Sequence, residues 1–270
     1  MYYKLKHLNS GKEGINMTAD EYILMIVKKH RLPNEIDYTT QYRVIQPLKS
    51  IICTWAGSSL CDIKISGSRA KGTAIDLCSD LDLFISLSSS TQLPLKQIYD
   101  SLYNHVCRQG IPARQQNVSI GVTYAGSKVD LVPARREGQY GNDHSLYRRK
   151  TNSWTKTNID KHISLVKDSG RTTEITALKI WRENHNLDFP SIYLEMFAID
   201  ALRGRSLSAP AGNFIYLLNC ISEQLSTKVI LDPANTNNVL SGELTGQEKA
   251  RVATQAKASI SEAYWSSIIW

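Results

Sequence analysis

The feature that most constrains the fold of this 270-residue chain is a strand-like alternation that begins at Asp80. Apolar residues recur there at every second position: Leu81, Leu83, Ile85 and Leu87. Because successive side chains of a strand point to opposite faces, these residues face a core, and Asp80 and Asp82 both project from the other face. The chain must therefore contain a half-buried strand that carries two neighbouring carboxylates.

Two more segments alternate in the same way, residues 61–65 and 118–124, and the small turn Ala125-Gly126-Ser127 follows the second. Between the alternating segments, residues 95–109 have the pattern of a helix packed across a sheet. The first half of the chain is therefore predicted to be mixed α/β.

Helical patterns flank and follow this sheet. Thr18 with Glu21 and Thr245 with Glu248 form capping boxes, which mark helix starts. A helix is predicted over about residues 40–55, where Pro47 either bends it or sets its start. After about Tyr147 helices dominate, with apolar stripes at residues 175–181, 192–199 and 214–225.

Composition fits an ordinary globular protein, since 42% of the residues are apolar. No stretch approaches the roughly 20 consecutive apolar residues of a membrane-spanning helix. The polar start, residues 1–12, lacks the apolar block of a signal peptide, and the first 17 residues have the composition of a loosely held segment. We expect a cytoplasmic protein without a membrane partner.

The cysteines and histidines show no metal or disulfide pattern. Five cysteines are widely spread without a CxxC pair, and six histidines are scattered. We expect no structural zinc, and cysteines that are reduced and mostly buried. A net charge of +7 favours anionic partners, but it does not distinguish nucleic acid from nucleoside triphosphates or from simple solubility.

Chemistry is indicated by the aspartate pair and by the turn before it. Two adjacent carboxylates repel unless a cation lies between them or one is protonated, so Asp80 and Asp82 are candidate metal ligands. A turn that opens with Gly67 and Ser68 can hold phosphate oxygens through its amides and hydroxyl. Each feature alone has a simpler explanation, a solvated strand or an ordinary turn.

The combination of motifs resembles the polymerase-β nucleotidyltransferase superfamily. It comprises Gly67-Ser68, Gly72-Thr73, Asp80-x-Asp82 and a third carboxylate, Asp130, within Lys128-Val129-Asp130-Leu131-Val132-Pro133. We expect Asp130 to lie on a strand whose hairpin partner brings it beside the other two aspartates.

The second half of the chain is similar to the helical lobe of the cyclic GMP-AMP synthase and oligoadenylate synthase-like group, which includes the bacterial CD-NTases. The similar segments are Leu178-Lys179-Ile180-Trp181, Pro190-Ser191-Ile192-Tyr193-Leu194-Glu195 and residues 231–239. This resemblance implies an α+β protein with the active site between two lobes. A polymerase-β-like nucleotidyltransferase lobe, with a mixed sheet and N-terminal helices, would span residues 1–150, and a helical lobe residues 151–270.

The resemblance also implies roles for individual residues. Gly67 and Ser68 would hold the triphosphate, while Asp80 and Asp82 would bind two Mg²⁺ or Mn²⁺ ions. Asp130 would bind one metal ion and the incoming hydroxyl. Two residues match positions that contact the triphosphate from the helical lobe: Lys179 and Ser191. On pattern alone, a lysine such as Lys179 is most often a helix-surface residue, and Ser191 fits an N-cap. Ile192 replaces an aromatic residue that many relatives use to stack on the base.

As a function, the resemblance implies condensation of nucleoside triphosphates, ATP among them, into a cyclic or short linear oligonucleotide with release of pyrophosphate. Such a product would act on a downstream effector in anti-phage signalling, and the enzyme would be a monomer. Two alternatives stay open. One is a transferase that adds nucleotides to tRNA or another macromolecule, as CCA-adding enzymes do. The other is a catalytically silent antitoxin-like or regulatory binding protein.

Overall fold

The structure is a computed structural model that describes residues 17–78 and 80–270. The predicted loosely held start lies mostly outside the described residues. The strands are β1 (Leu60–Ile65), β2 (Leu81–Leu87), β3 (Ala113–Gln115), β4 (Ile120–Tyr124), β5 (Ser127–Arg136), β6 (His144–Arg148), β7 (Ser153–Thr157), β8 (Leu231–Asp232) and β9 (Asn235–Val239). The helices are α1 (Ala19–His30), α2 (Tyr38–Thr40), α3 (Gln46–Ala56), α4 (Gly67–Lys71), α5 (Leu95–Arg108), α6 (Ile159–Asp168), α7 (Thr172–Asn184), α8 (Ser191–Ala201), α9 (Pro210–Gln224) and α10 (Gly246–Ser261).

Seven strands form one mixed sheet in the order β1-β2-β5-β4-β3, and β6 and β7 extend it from the end of β5. Among the described strands, only β2 and β5 pair in parallel; the other pairs are antiparallel. The β4–β5 hairpin turns through Ala125 and Gly126, both at positive φ, which matches the predicted turn. The α+β fold class predicted from the sequence is confirmed.

One face of the sheet packs against α3 and α5, as the alternation predicts. Leu81, Leu83, Ile85 and Leu87 are all buried in that cluster. The sequence predicted a half-buried strand, but the other face of β2 is also covered, since Phe84 on that face is only 2% exposed. Phe84 belongs to a small second cluster with Ala134 and Leu146, and this cluster covers the face that carries Asp82.

A separate apolar cluster joins α1 with the helices of the second half, α7 to α10. Both predicted capping boxes are present, at Thr18 with Glu21 and at Thr245 with Glu248. The division at residue 150 stays a prediction. The sheet itself extends to the end of β7, and α1 packs with the helical cluster rather than with the sheet.

Two local predictions need correction. The helix over residues 40–55 is three consecutive segments: α2, a π-helical turn (Gln41–Ile45) and α3, in whose first turn Pro47 needs no backbone donor. The expectation of mostly buried cysteines is wrong, since only Cys220 is buried and the other four are exposed, although all five are free thiols. Within the described part of the chain, no helix is long and apolar enough to span a bilayer.

Candidate active site

The sheet brings the three predicted aspartates to one place. Asp82 of β2 and Asp130 of β5 are register partners across the parallel pair, and Asp80 precedes β2 by one residue. The expected hairpin route is wrong, because the hairpin partner of β5 is β4. Asp130 instead reaches Asp82 after the chain has crossed over through α5, β3 and β4, which makes β5 a parallel neighbour of β2.

These carboxylates disfavour one another's charge. Burial, and then the charges of Asp130 and Asp80, raise the pKa of Asp82 to about 7, with Lys71 opposing the shift. Burial and the nearby Asp80 also raise the pKa of Asp130. A cation placed among the three side chains would remove this repulsion, so their electrostatics suit a divalent metal ion.

Asp130 is held by two polar side chains that the sequence did not single out. Gln116 Nε2 donates to Asp130 Oδ1 at 3.0 Å. The Ser119 hydroxyl lies 3.2 Å from Asp130 Oδ2 and 2.7 Å from Gln116 Oε1, so it links the two groups. Gly121 lies opposite Asp130 on β4, where a Cβ would come within 2.5 Å of Gln116 Nε2. The missing side chain at Gly121 therefore makes room for the Gln116 amide.

The predicted Gly-Ser turn lies directly against Asp82. Gly67 begins α4 with φ +59°, a conformation that favours glycine. The backbone N–H of Ser66 donates to the carbonyl oxygen of Asp82 at 2.9 Å. Ser68 lies in the first turn of α4, and its carbonyl oxygen accepts from the Thr73 N–H at 3.0 Å. The turn that was predicted to hold phosphate is thus fixed to the strand that carries the carboxylates.

Lys179 is not a helix-surface lysine. It is 2% exposed, and its ammonium donates to Thr73 Oγ1 at 2.8 Å and to Glu195 Oε1 at 2.7 Å. Lys71, at the end of α4, donates to the other oxygen of Glu195 at 2.7 Å. The buried carboxylate of Glu195 in α8 therefore binds one lysine from the end of α4, next to the sheet, and one from α7.

Ser191 is the first residue of α8, and the N-cap is Pro190, so the N-cap interpretation is wrong. Its hydroxyl is on an exposed residue and accepts from Arg182 Nη1 at 3.0 Å. Tyr193 offers no substitute for the aromatic residue that Ile192 replaces, because Tyr193 is fully buried between Phe189 and Phe197. The triphosphate contacts of Lys179 and Ser191 stay predictions.

A cavity of about 180 Å³ opens beside this site. Gly67, Lys71 and Asp82 line its polar side, while Phe84 and Val132 contribute to an apolar wall. His162 also lines it, and its Nε2 is 2.7 Å from Asp232 Oδ1 in the β8–β9 hairpin. Two larger hollows, of about 280 and 510 Å³, share Arg135 and Glu137 and contain none of the three aspartates.

The donor set fits a hard divalent cation. Three aspartates offer only carboxylate oxygens, which suit Mg²⁺ and Mn²⁺. Burial is the main cause of the raised pKa of Asp82, and the charges of Asp130 and Asp80 add to it, so a bound cation would favour the charged form of Asp82. Among residues 17–78 and 80–270, no three His, Cys, Asp or Glu side chains converge into a preformed metal cluster. Metal binding by Asp80, Asp82 and Asp130 therefore stays a prediction.

Known proteins share the fold that carries this site. No protein-family model matches the chain. A curated relative, the cyclic AMP-AMP-AMP synthase of Escherichia coli strain MS 115-1, is 26% identical over 157 residues. That match covers 53% of this chain and 49% of the relative, so it spans about half of the relative's length.

Solved structures match over most of the chain. The structure of E. coli MS115-1 CdnC with ATP superposes with a TM-score of 0.68 and 20% identity, covering 89% of this chain and 90% of that one. The Bradyrhizobium diazoefficiens CD-NTase CdnG with GTP gives a TM-score of 0.70 at 12% identity, covering 90% and 92%. The resemblance predicted from the sequence is confirmed at the level of the fold: this chain has the fold of the solved CD-NTase structures.

Proposed function

We propose that the protein is a metal-dependent nucleotidyltransferase that condenses nucleoside triphosphates into a cyclic or short linear oligonucleotide and releases pyrophosphate. The observation that carries the proposal is the pairing of Asp82 with Asp130 across β2 and β5, with Asp82 directly against Gly67 of the Gly67-Ser68 turn. The charge of Asp80, just before β2, acts on both of these carboxylates. A curated relative is a cyclic AMP-AMP-AMP synthase, and two of the matching structures contain ATP and GTP, respectively.

Asp80, Asp82 and Asp130 would hold the catalytic metal ions, Mg²⁺ or alternatively Mn²⁺. When bound, such ions lower the pKa of the attacking hydroxyl and neutralise charge on the departing pyrophosphate. Catalysis of phosphoryl transfer depends mainly on electrostatic stabilisation of the transition state. The loss of one carboxylate is therefore expected to raise the activation free energy by several kcal/mol.

The chain itself orients the reactants. Asp130, fixed by Gln116 and Ser119, orients a ribose hydroxyl and accepts its proton. The hydroxyl oxygen forms a bond to the α-phosphorus, the bond from that phosphorus to the bridging oxygen of the β-phosphate breaks, and pyrophosphate leaves. Gly67 and Ser68 bind the triphosphate from one side, and Lys179 and Ser191 contact it from the helical side.

In the cell, the protein would work as a cytoplasmic monomer that uses ATP, alone or with a second nucleoside triphosphate. Its product would act on a separate effector protein in defence against phage. The use of ATP is supported by the curated relative, a cyclic AMP-AMP-AMP synthase. The other assignments rest on the resemblance of the sequence to the CD-NTases.

Pyrophosphate release tests the proposal. The wild-type protein with Mg²⁺ and mixed nucleoside triphosphates is expected to release pyrophosphate, and Asp82→Ala is expected to release none while unfolding at nearly the wild-type temperature. Asp168→Ala, which removes an exposed aspartate at the end of α6, serves as the matched control and retains activity. Measurable release by Asp82→Ala contradicts the assignment.

The two alternative functions give different results in the same assay. A transferase that acts on tRNA releases pyrophosphate only when tRNA is added. A silent binding protein releases none under either condition, although it still binds nucleotide.

A further inference from the structure

A buried ion network joins the sheet to the helices behind the candidate active site. Glu195 of α8 accepts hydrogen bonds from Lys71 and Lys179, each at 2.7 Å. Lys179 also donates to Thr73 Oγ1 at 2.8 Å. Glu195 and Thr73 are both 0% exposed. The contacts span long stretches of sequence, since Lys71 and Glu195 are 124 positions apart.

This network holds more positive than negative charge. Two ammonium groups share the Glu195 carboxylate, and the next carboxylate nearby is Asp82, whose pKa both lysines lower. Although burial alone would raise the pKa of Glu195, Lys179 and Lys71 hold it at about 2, so the carboxylate is charged at neutral pH. A buried charge is costly unless it is paired, and a bound anion would add to the compensation that Asp82 gives the two lysines.

The lysines keep donors beyond this network. A lysine ammonium has three N–H groups. In the described part of the chain, Lys179 uses two of them on Thr73 and Glu195, while Lys71 uses one on Glu195. The remaining N–H groups are held in fixed positions, because each side chain is anchored by a carboxylate at short distance.

The position of the network relates it to the phosphate-binding turn. Lys71 ends α4, whose first residues are Gly67 and Ser68, and it lines the 180 Å³ cavity together with Asp82. Thr73 follows the same helix by two residues and accepts from Lys179 of α7. The network therefore fixes the turn of the sheet lobe relative to α7 and α8.

We propose that Glu195 is a positioning residue that holds Lys71 and Lys179 as two fixed cations for a polyphosphate chain at the Gly67-Ser68 turn. The inference rests on the proposed function, because it assumes that this turn binds triphosphate. Glu195 itself touches no phosphate. Its carboxylate keeps two like charges close together and correctly placed before the substrate arrives.

Loss of this carboxylate has a defined consequence. In Glu195→Gln the amide keeps the shape of the side chain, but the two buried ammonium groups lose their shared counter-charge and keep only the nearby Asp82. Burial already lowers the pKa of Lys179, so one lysine would become neutral or turn away. We expect weaker polyphosphate binding, although a negative charge has been removed from an anion site.

A control separates positioning from stability. Glu174 of α7 is also a buried carboxylate, 2% exposed, and it accepts from Arg171 Nη1 at 3.1 Å and Asn213 Nδ2 at 2.8 Å. It belongs to the helical part and contacts neither Lys71 nor Lys179 among the bonds described. Glu174→Gln therefore removes a buried charge pair without touching the network.

The test is titration calorimetry with inorganic tripolyphosphate and Mg²⁺, a probe that does not depend on base specificity. We expect the wild-type protein to bind, Glu195→Gln to bind about tenfold or more weakly, as for lost charge-assisted contacts, and Glu174→Gln to bind within about twofold of wild type. Glu195→Asp, which keeps the charge, is expected to recover part of the affinity. Thermal unfolding of each variant reports whether it is folded.

Each result has a clear meaning. Unchanged or tighter binding by folded Glu195→Gln overturns the inference. The carboxylate would then have no effect on polyphosphate binding, or it would compete with phosphate for the lysines. Equal losses in Glu174→Gln and Glu195→Gln also overturn it, since stability alone would explain both. If the wild-type protein forms oligonucleotides but does not bind tripolyphosphate, this inference fails and the proposed function stands. Absence of pyrophosphate release with every triphosphate defeats the proposed function itself.

Discussion

A methyl group placed on Gly67 would lie 1.7 Å from Asp82 Oδ2, well inside van der Waals contact. The carboxylate of Asp82 thus occupies the space that any other residue at position 67 would fill with its Cβ. The Ser66 N–H bond to the Asp82 carbonyl oxygen fixes the two backbones at the same point. In this fold the glycine of the turn and the aspartate of the strand form a single unit.

Gly67→Ala is therefore expected to abolish nucleotidyl transfer. The substitution forces Asp82 away from its position, and it adds a backbone penalty of about 1–2 kcal/mol because φ is +59°. The measurement is pyrophosphate release together with the free energy of unfolding from urea titration.

Gly110→Ala supplies the control for backbone strain alone. Gly110 has φ +73°, and no atom lies within 4 Å of the position that a Cβ would take there. We expect a similar loss of stability with activity retained. Wild-type turnover by folded Gly67→Ala would contradict the claim that Asp82 needs the space that Gly67 leaves free.

Gln116→Leu tests the support of Asp130. The substitution removes the 3.0 Å hydrogen bond to Asp130 Oδ1, a contact worth about 1–3 kcal/mol when the acceptor is charged. We expect kcat to fall by roughly tenfold to a hundredfold, with each 1.4 kcal/mol counted as a factor of ten. Steady-state kinetics of pyrophosphate release measure this effect. Gln92→Leu, at an exposed site, should leave kcat unchanged.

The environment of His144 leads to a prediction of how the free energy of unfolding depends on pH. Burial lowers the pKa of His144, whose Nδ1 lies 2.8 Å from the Asn142 carbonyl oxygen and whose Nε2 lies 2.8 Å from Ser86 Oγ. Because a carbonyl oxygen only accepts, Nδ1 carries the proton in the neutral ring, and Nε2 accepts from the Ser86 hydroxyl, whose oxygen also accepts from Arg136 Nε.

Because the folded-state pKa of His144 is below the unfolded value of about 6.5, the unfolded chain binds more protons as the pH falls. The free energy of unfolding therefore decreases below about pH 6.5 and does not depend on this group above it. His144→Gln should make that decrease smaller in urea titrations across the acidic range. An unchanged slope would show that His144 is not the responsible group.

Local patterns predicted the parts of the fold that depend on neighbouring residues. The alternation from Leu81 to Leu87 placed both the core face and the aspartate face of β2 correctly. The capping box at Thr245 located the start of α10. The sequence did not predict the short strand β7. Its first two residues are exposed, and it carries no clear alternation of apolar and polar residues.

The site was predicted only in part, because much of it depends on contacts between distant residues. Asp82 and Asp130 were identified, but their parallel pairing was not, since a crossover connection leaves no local signature. Lys71 and Glu195 both lie within motifs that the sequence displayed, yet nothing in a single sequence pairs residues 124 positions apart. Gln116 gave no signal at all, because a lone polar residue before a strand is common.

The most direct test of the proposed function is the identity of the product. The purified protein is incubated with labelled nucleoside triphosphates and Mg²⁺, the mixture is treated with phosphatase, and the products are separated by chromatography. We expect a labelled, phosphatase-resistant oligonucleotide from the wild-type protein and none from Asp82→Ala. Only free nucleosides from the wild-type protein, or the same product from both proteins, would contradict the proposed function.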